Sequence, residues 1–223
     1  MKKIISIIIT TICLISISIL SATATSGNCK PFYGTNATKN SYHNYWTRPV
    51  YSYLTTCDNG NYMRVQYDLV NSNYESYKEI LIEYYDKNFN FIKYKTIKPV
   101  LPLFGAFYET DENYYIVSGQ DNPDKKASVE CYNIAKYDKN WKLIKDIGIK
   151  DCDTAYPFEA GSARVAINDK YMVIHTCHKM YNGHQSNRTL YFEIESMSEL
   201  RATEIAYTSH SFNQFNYIFS LTL

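Results

Sequence analysis

The densest group of residues able to do chemistry is His175-Thr176-Cys177-His178, followed closely by His184 and Gln185. It holds three of the five histidines in the 223-residue chain. Imidazole together with thiolate sulfur suits Zn²⁺ or copper. Side chains alternate along a strand, so His175 and Cys177 share one face while Thr176 and His178 point to the other. His175 and Cys177 are therefore a two-ligand metal seed that needs His210, Asp151 or Asp153 from a neighbouring strand. Without a metal, the stretch offers His178, His184, Gln185 and His210 as ligand-binding groups, hydrogen-bonded on loops or near a channel. The expectation is that no cofactor is needed, with zinc as the alternative. Cys177 beside His175 or His178 is also the raw material of a nucleophile and its base, but adjacency in sequence does not supply an oxyanion partner. Glu109, Asp111, Asp151, Asp153 and Glu159 supply carboxylates for glycoside hydrolysis without a required spacing, and Asp111 falls in a turn slot. The 23 tyrosines, each with an apolar face and a polar tip, suit stacking on sugars or contact with protein. Asn36-Ala-Thr and Asn187-Arg-Thr match the N-glycosylation acceptor pattern.

The elements that must carry these residues repeat. Tyr85-Asp86-Lys87-Asn88 returns 52 residues later as Tyr137-Asp138-Lys139-Asn140, and Phe89/Trp141, Phe91/Leu143, Ile92/Ile144 and Ile97/Ile149 keep step. A period near fifty is in the range of propeller blades, small antiparallel sheets that bury their faces only by stacking. Turn residues followed by tyrosine recur at Asp58–Tyr62, Asp111–Tyr114 and Asn168–Tyr171, and each precedes an apolar run. Asn and Asp suit such reversals because they tolerate left-handed backbone and bond their own chain. Phe192–Leu200 is a degenerate third copy of the Tyr-Asp-Lys-Asn turn. The units then run over about 50–99, 100–152 and 153–205, each with four strands. In the second unit these are Phe104–Thr110, Asn113–Gly119, Ser128–Tyr137 and Leu143–Ile149. Residues 206–223 read as the start of a fourth. The fold class expected is all-β, an incomplete β-propeller of about three four-stranded blades.

Met1-Lys2-Lys3, an uncharged run from Ile4 to Leu20 and Ala22-Thr23-Ala24 read as a secretory signal peptide over residues 1–24. The chain is accordingly expected to be secreted or held at the cell surface, with no stable membrane insertion after cleavage. Residues 25–49 read as an irregular lead-in, and 50–223 as the repeat domain. With 23 basic and 22 acidic residues and no block of like charge, nucleic acid has no electrostatic footprint to bind. Five of the six cysteines lie beyond residue 24, an odd number that leaves at least one outside any internal pairing. Cys29 with Cys57 is the preferred pair, and buried inert thiols are the alternative.

Leu103-Phe104-Gly105-Ala106-Phe107, Gly119-Gln120-Asp121-Asn122-Pro123, Pro157–Ser162, Thr176–Tyr181, His184-Gln185 and Ser209–Phe215 form a set. As a set they resemble secreted β-propeller-like repeat proteins of Gram-positive bacteria. The resemblance covers roughly residues 45–216 and implies more blades than this chain holds, with no activity attached. After Phe215 the pattern does not continue, which suggests a shortened frame. The reading is thus an extracellular binding or scaffold module for a glycan or protein, with self-association through open blade faces. The alternative is a secreted metal-dependent or glycan-active enzyme with its site near His175–His184.

Overall fold

The computed structural model describes residues 52–67, 78–159 and 163–206. The expected leader and lead-in, Cys29, His210 and the start of a fourth unit beyond residue 206 lie outside the described residues. Those described form thirteen strands and no helix. The first sheet is β1 (Ser52–Thr56), β2 (Tyr62–Tyr67), β3 (Ile80–Tyr85) and β4 (Phe91–Ile97), in that order. The second is β5 (Leu103–Glu109), β6 (Asn113–Gly119), β7 (Tyr132–Asp138) and β8 (Leu143–Ile149). The third is β10 (Arg164–Ile167), β11 (Tyr171–Met180), β12 (Gln185–Glu193) and β13 (Ser198–Ala206). A short β9 (Thr154–Pro157) lies beside the far end of β11, so two pieces share the first-strand position of that sheet. All pairings are antiparallel. The four strands expected in the second unit are present within a few residues at each boundary.

Local chemistry explains the repeated turn. Asp86 Oδ1 accepts from the backbone N–H of Asn88 and Asn90, and Asp138 Oδ1 accepts in the same way from Asn140 and Lys142, all at 2.8–2.9 Å. The fourth residue of each turn is driven into left-handed backbone, Phe89 at φ 62° and Trp141 at φ 64°. The third copy, one residue longer, keeps the left-handed residue, Met197 at φ 50°, with a different bond beside it, Ser196 Oγ donating to the Glu193 carboxylate. The ladders correct the register expected for that unit. Tyr62 pairs with Tyr85, Tyr114 with Tyr137, and Met172 with Phe192. Met172, not Tyr171, therefore holds the place of Tyr62 and Tyr114. A one-residue slip moves every side chain to the opposite face.

That slip decides what is core. Each sheet has a leading face, which carries the turn residue, and a trailing face that receives the next sheet. Met63, Val65, Ile80 and Ile82 on the trailing face of the first sheet pack against Tyr114, Ile116, Ala135 and Trp141 of the second. Val117, Tyr132 and Ile134 pack in turn against Met172, Ile174, Leu190, Phe192 and Met197 of the third. Burying each such large apolar side chain is worth about 1.5–3 kcal/mol, so the two seams carry most of the stabilisation.

Phe89 departs from expectation. It stands where Trp141 and Met197 fill a seam, yet it is 50% exposed, while Trp141 is 4% exposed. The leading face of the first sheet is closed over its centre, where Gln66, Leu81 and Glu83 are buried and Arg64 pairs with Glu83. Among the described residues, Phe89, Leu54 and Tyr94 are its exposed large apolar side chains. The outermost strands β4 and β8 expose Ile92, Leu143 and Ile144, with Lys93, Lys95 and Lys145 among them, charges that discourage edge pairing.

Candidate functional site

The antiparallel order places two kinds of connection at opposite ends of the sheets. The short turns β1–β2, β3–β4, β5–β6, β7–β8, β10–β11 and β12–β13 share one end. The 120–131 loop, the β11–β12 hairpin and the crossings between sheets share the other.

At the loop end Gly105, Gly119, Asn122, Phe158, Cys177 and Tyr181, from four segments distant in sequence, converge. Phe158, held at φ 59°, wedges its ring over Gly105 and Gly119 and meets Tyr132 edge-on at 5.6 Å. A Cβ on Gly105 would sit 2.4 Å from that ring, so the close approach needs glycine. Asn122 Nδ2 donates to the Tyr181 hydroxyl, Phe158 N to Cys177 O, and Ala163 N to Gly105 O, at 2.9–3.0 Å. Below the wedge lies a buried polar node. His178 Nδ1 meets Thr154 Oγ1 at 2.7 Å, Thr154 Oγ1 donates to Cys152 O at 2.9 Å, and Arg188 Nη1 donates to the same carbonyl at 2.8 Å. A hydroxyl has one proton; with it on the carbonyl of residue 152, the His178 Nδ1–H must be the donor to Thr154. The Cys131 thiol contacts both Thr154 O, at 3.4 Å, and the thiol of Cys152.

The residues expected to do chemistry are distributed, not gathered. His178 belongs to this node and is fully buried. His175 and Cys177 do share a face, as alternation requires, but it is the trailing face of the third sheet, opposite the node. His175 Nδ1 meets Thr189 Oγ1 at 2.9 Å, and burial holds its imidazole below the ordinary histidine range. His184 is exposed in the β11–β12 hairpin and Gln185, half-buried, opens β12. Among the described residues no three His, Cys, Asp or Glu side chains come together as a metal cluster. The pairing imagined between Cys177 and His178 fails because adjacent strand residues face opposite ways. Asn187 is buried beside Cys177 in the ladder, so the folded chain does not present that acceptor amide.

The turn end holds what the sequence did not single out as a unit. Glu109, at the end of β5, accepts from Thr55 Oγ1 of β1 and from Lys139 Nζ at 2.8 Å. Lys139 also lies over the Tyr114 ring, 4.5 Å from its centroid, and Tyr114 stacks on Trp141 at 4.3 Å. Trp141 Nε1 donates to the Tyr84 hydroxyl at 3.0 Å. Glu109 lines three hollows. One, about 350 Å³, opens at the seam of the first two sheets between Cys57, Tyr84, Lys93 and Tyr114. Another, about 670 Å³, lies towards the third sheet with Asp111, Lys136 and Asp169 on its walls. The last, about 310 Å³, is lined by β1, β5 and β10, the first strands of all three sheets. Of the five carboxylates considered for hydrolysis, Glu109 and Asp111 are here, whereas Asp151, Asp153 and Glu159 belong to the loop end.

Burial keeps the titratable groups of the first hollow protonated. Burial raises the Cys57 thiol, and the Glu109 carboxylate adds to the shift. Burial likewise raises the Tyr84 and Tyr114 phenols, well above the usual range for Tyr114. These groups stay neutral donors at neutral pH, and a thiol kept protonated is a poor nucleophile. The sequence singled out Glu109 as one of five carboxylates without a required spacing, and its place just before the turn at Asp111 was the only sign of where it would sit.

No family model matches the chain, and no curated protein matches it. Among solved structures, a variant of the Synechocystis apocarotenoid oxygenase aligns at 9% identity with a TM-score of 0.43, over 71% of this chain and 38% of that one. A second variant of the same oxygenase aligns at 9% identity with a TM-score of 0.41, over the same shares. The chain spans well under half the length of these structures, and a likeness at that level says nothing about chemistry.

Proposed function

We propose that the protein is an extracellular β-propeller-type binding or scaffold module whose ligand, a glycan or a protein, docks at the turn-end rim around Glu109. The observation that supports the architecture is the hollow lined by β1, β5 and β10. First strands of successive blades surround a common axis in a propeller. Binding is supported by the side chains around Glu109. A fixed carboxylate, a lysine held over an aromatic ring and neutral phenol donors form a polar and aromatic surface of the kind that grips sugars and protein backbones. Blade stacking also makes the exposed Phe89, Tyr94 and Leu54 of the first sheet a surface for self-association.

The test is a glycan array probed with the purified protein and with Glu109→Gln, together with zinc content after purification without chelator. Glycan binding that falls at least tenfold in Glu109→Gln, with sub-stoichiometric zinc, is the expected result. Binding that is indifferent to Glu109 would move the site elsewhere. Stoichiometric zinc would favour the enzyme reading.

A further inference from the structure

We propose that Cys131 and Cys152 are a disulfide-forming pair, a covalent modification site that staples the start of β7 to the bend after β8 at the seam of the second and third sheets. Three features carry it. First, both thiols lie in the same core cluster, 0% and 1% exposed, and touch each other. The backbone fixes them there. Cys131 N donates to Ile149 O at 2.9 Å, which ties its segment to the end of β8 three residues before Cys152. Second, a tight bend holds Cys152 inward as a free thiol. Its neighbours Asp151 and Asp153 both hold left-handed backbone, at φ 47° and 45°, a conformation uncommon outside glycine. The carbonyl of Cys152 is then clamped by Thr154 Oγ1 and Arg188 Nη1. Third, the electrostatics make the two sulfurs unequal. The Cys131 thiol beside it, with help from the Arg188 charge, lowers Cys152, while Cys131 itself is raised. Cys152 is therefore the attacking sulfur, and Cys131 keeps its proton until the second step.

The oxidant is an external disulfide such as oxidised glutathione. The Cys152 thiolate attacks one of its sulfurs, forms a mixed disulfide and expels one glutathione thiolate. The Cys131 thiol then loses its proton to solvent and attacks the Cys152 sulfur, expelling the second. Two protein S–H bonds are replaced by one S–S bond, and one external disulfide is reduced to two thiols. Because both sulfurs are buried, the exchange takes place during folding or when the 151–153 bend opens.

The full chain, folded in a glutathione redox buffer, is trapped with iodoacetamide and digested without reductant. The expected result is a peptide linking Cys131 to Cys152 and a melting temperature that reductant lowers by roughly 10 °C, the shift a closed loop of this length implies. In Cys131→Ser/Cys152→Ser the reductant-dependent shift should vanish. Recovery of both cysteines as alkylated thiols after prolonged incubation with oxidised glutathione would overturn the proposal, as would either of them linked to Cys177. Mapping on the wild-type chain needs no variant to fold.

Discussion

Trp141→Ala against Phe89→Ala measures directly how seams stabilise this chain. The two residues occupy the same turn, the same left-handed conformation and the same place after Tyr-Asp-Lys-Asn, so alanine leaves the same backbone penalty in both. They differ in burial. Trp141 is surrounded by Tyr114 at 4.3 Å and Phe107 and Tyr137 at 5.9 Å, and it donates to Tyr84. Deleting a buried large aromatic costs about 3–5 kcal/mol. Phe89 stacks on Tyr62 at 4.4 Å, and half its surface already meets water. Its truncation should cost no more than about 1 kcal/mol. For a chain of this size each kcal/mol moves the melting temperature by about 2–4 °C. Calorimetry should therefore show a drop of roughly 6–20 °C for Trp141→Ala and at most about 4 °C for Phe89→Ala. Trp141→Gly should lie above Trp141→Ala by about 1 kcal/mol, because glycine removes the left-handed strain. Equal shifts at positions 89 and 141, or a Trp141→Ala cost below 1 kcal/mol, would refute the seam argument.

Other outcomes follow from particular contacts. Gly105→Ala should destabilise by about 1–3 kcal/mol because Phe158 has to yield; an unchanged urea midpoint would mean the wedge is not tight. Burial depresses His175, so between its folded and unfolded values the unfolded chain binds the extra proton. Stability is then full above about pH 6.5 and declines as pH falls below it. His175→Gln should flatten that part of the pH profile, and an unaltered profile would deny the residue its role. If residues 1–24 are a signal peptide, intact-mass spectrometry of the exported product should show a chain beginning at Thr25, and a retained Met1 would sink the reading. Light scattering on that chain at micromolar concentration should show species larger than a monomer. A sharp monomer would remove self-association through the first sheet.

Much of the architecture was legible in the residues alone. Asp86 and Asp138 fix their turns through bonds to amides two and four positions on, and alternating apolar runs between such turns can only be strands. Local chemistry of that kind needs no partner distant in sequence, which is why the strands of the second unit were read within a few residues. Facing was harder. Tyr171 looked like the equivalent of Tyr114, but the ladders to Ile167 and Phe192 gave that place to Met172. Ile92 and Ile144 repeat as faithfully as Trp141 yet are exposed, because they lie on outermost strands. Periodicity reports which residues are alike. Whether a like position is covered depends on the sheet beside it. The same limit applied to the sites. His178 is a neighbour of His175 and Cys177 in sequence and was separated from them by strand alternation, while Cys131, Cys152 with Thr154, His178 and Arg188 come from four segments and meet only when the second and third sheets stack. Thr55, Glu109 and Lys139 likewise touch only because β1 and the β7–β8 turn are brought to the end of β5. Such contacts are set by the order and stacking of sheets, a long-range property that no local pattern encodes.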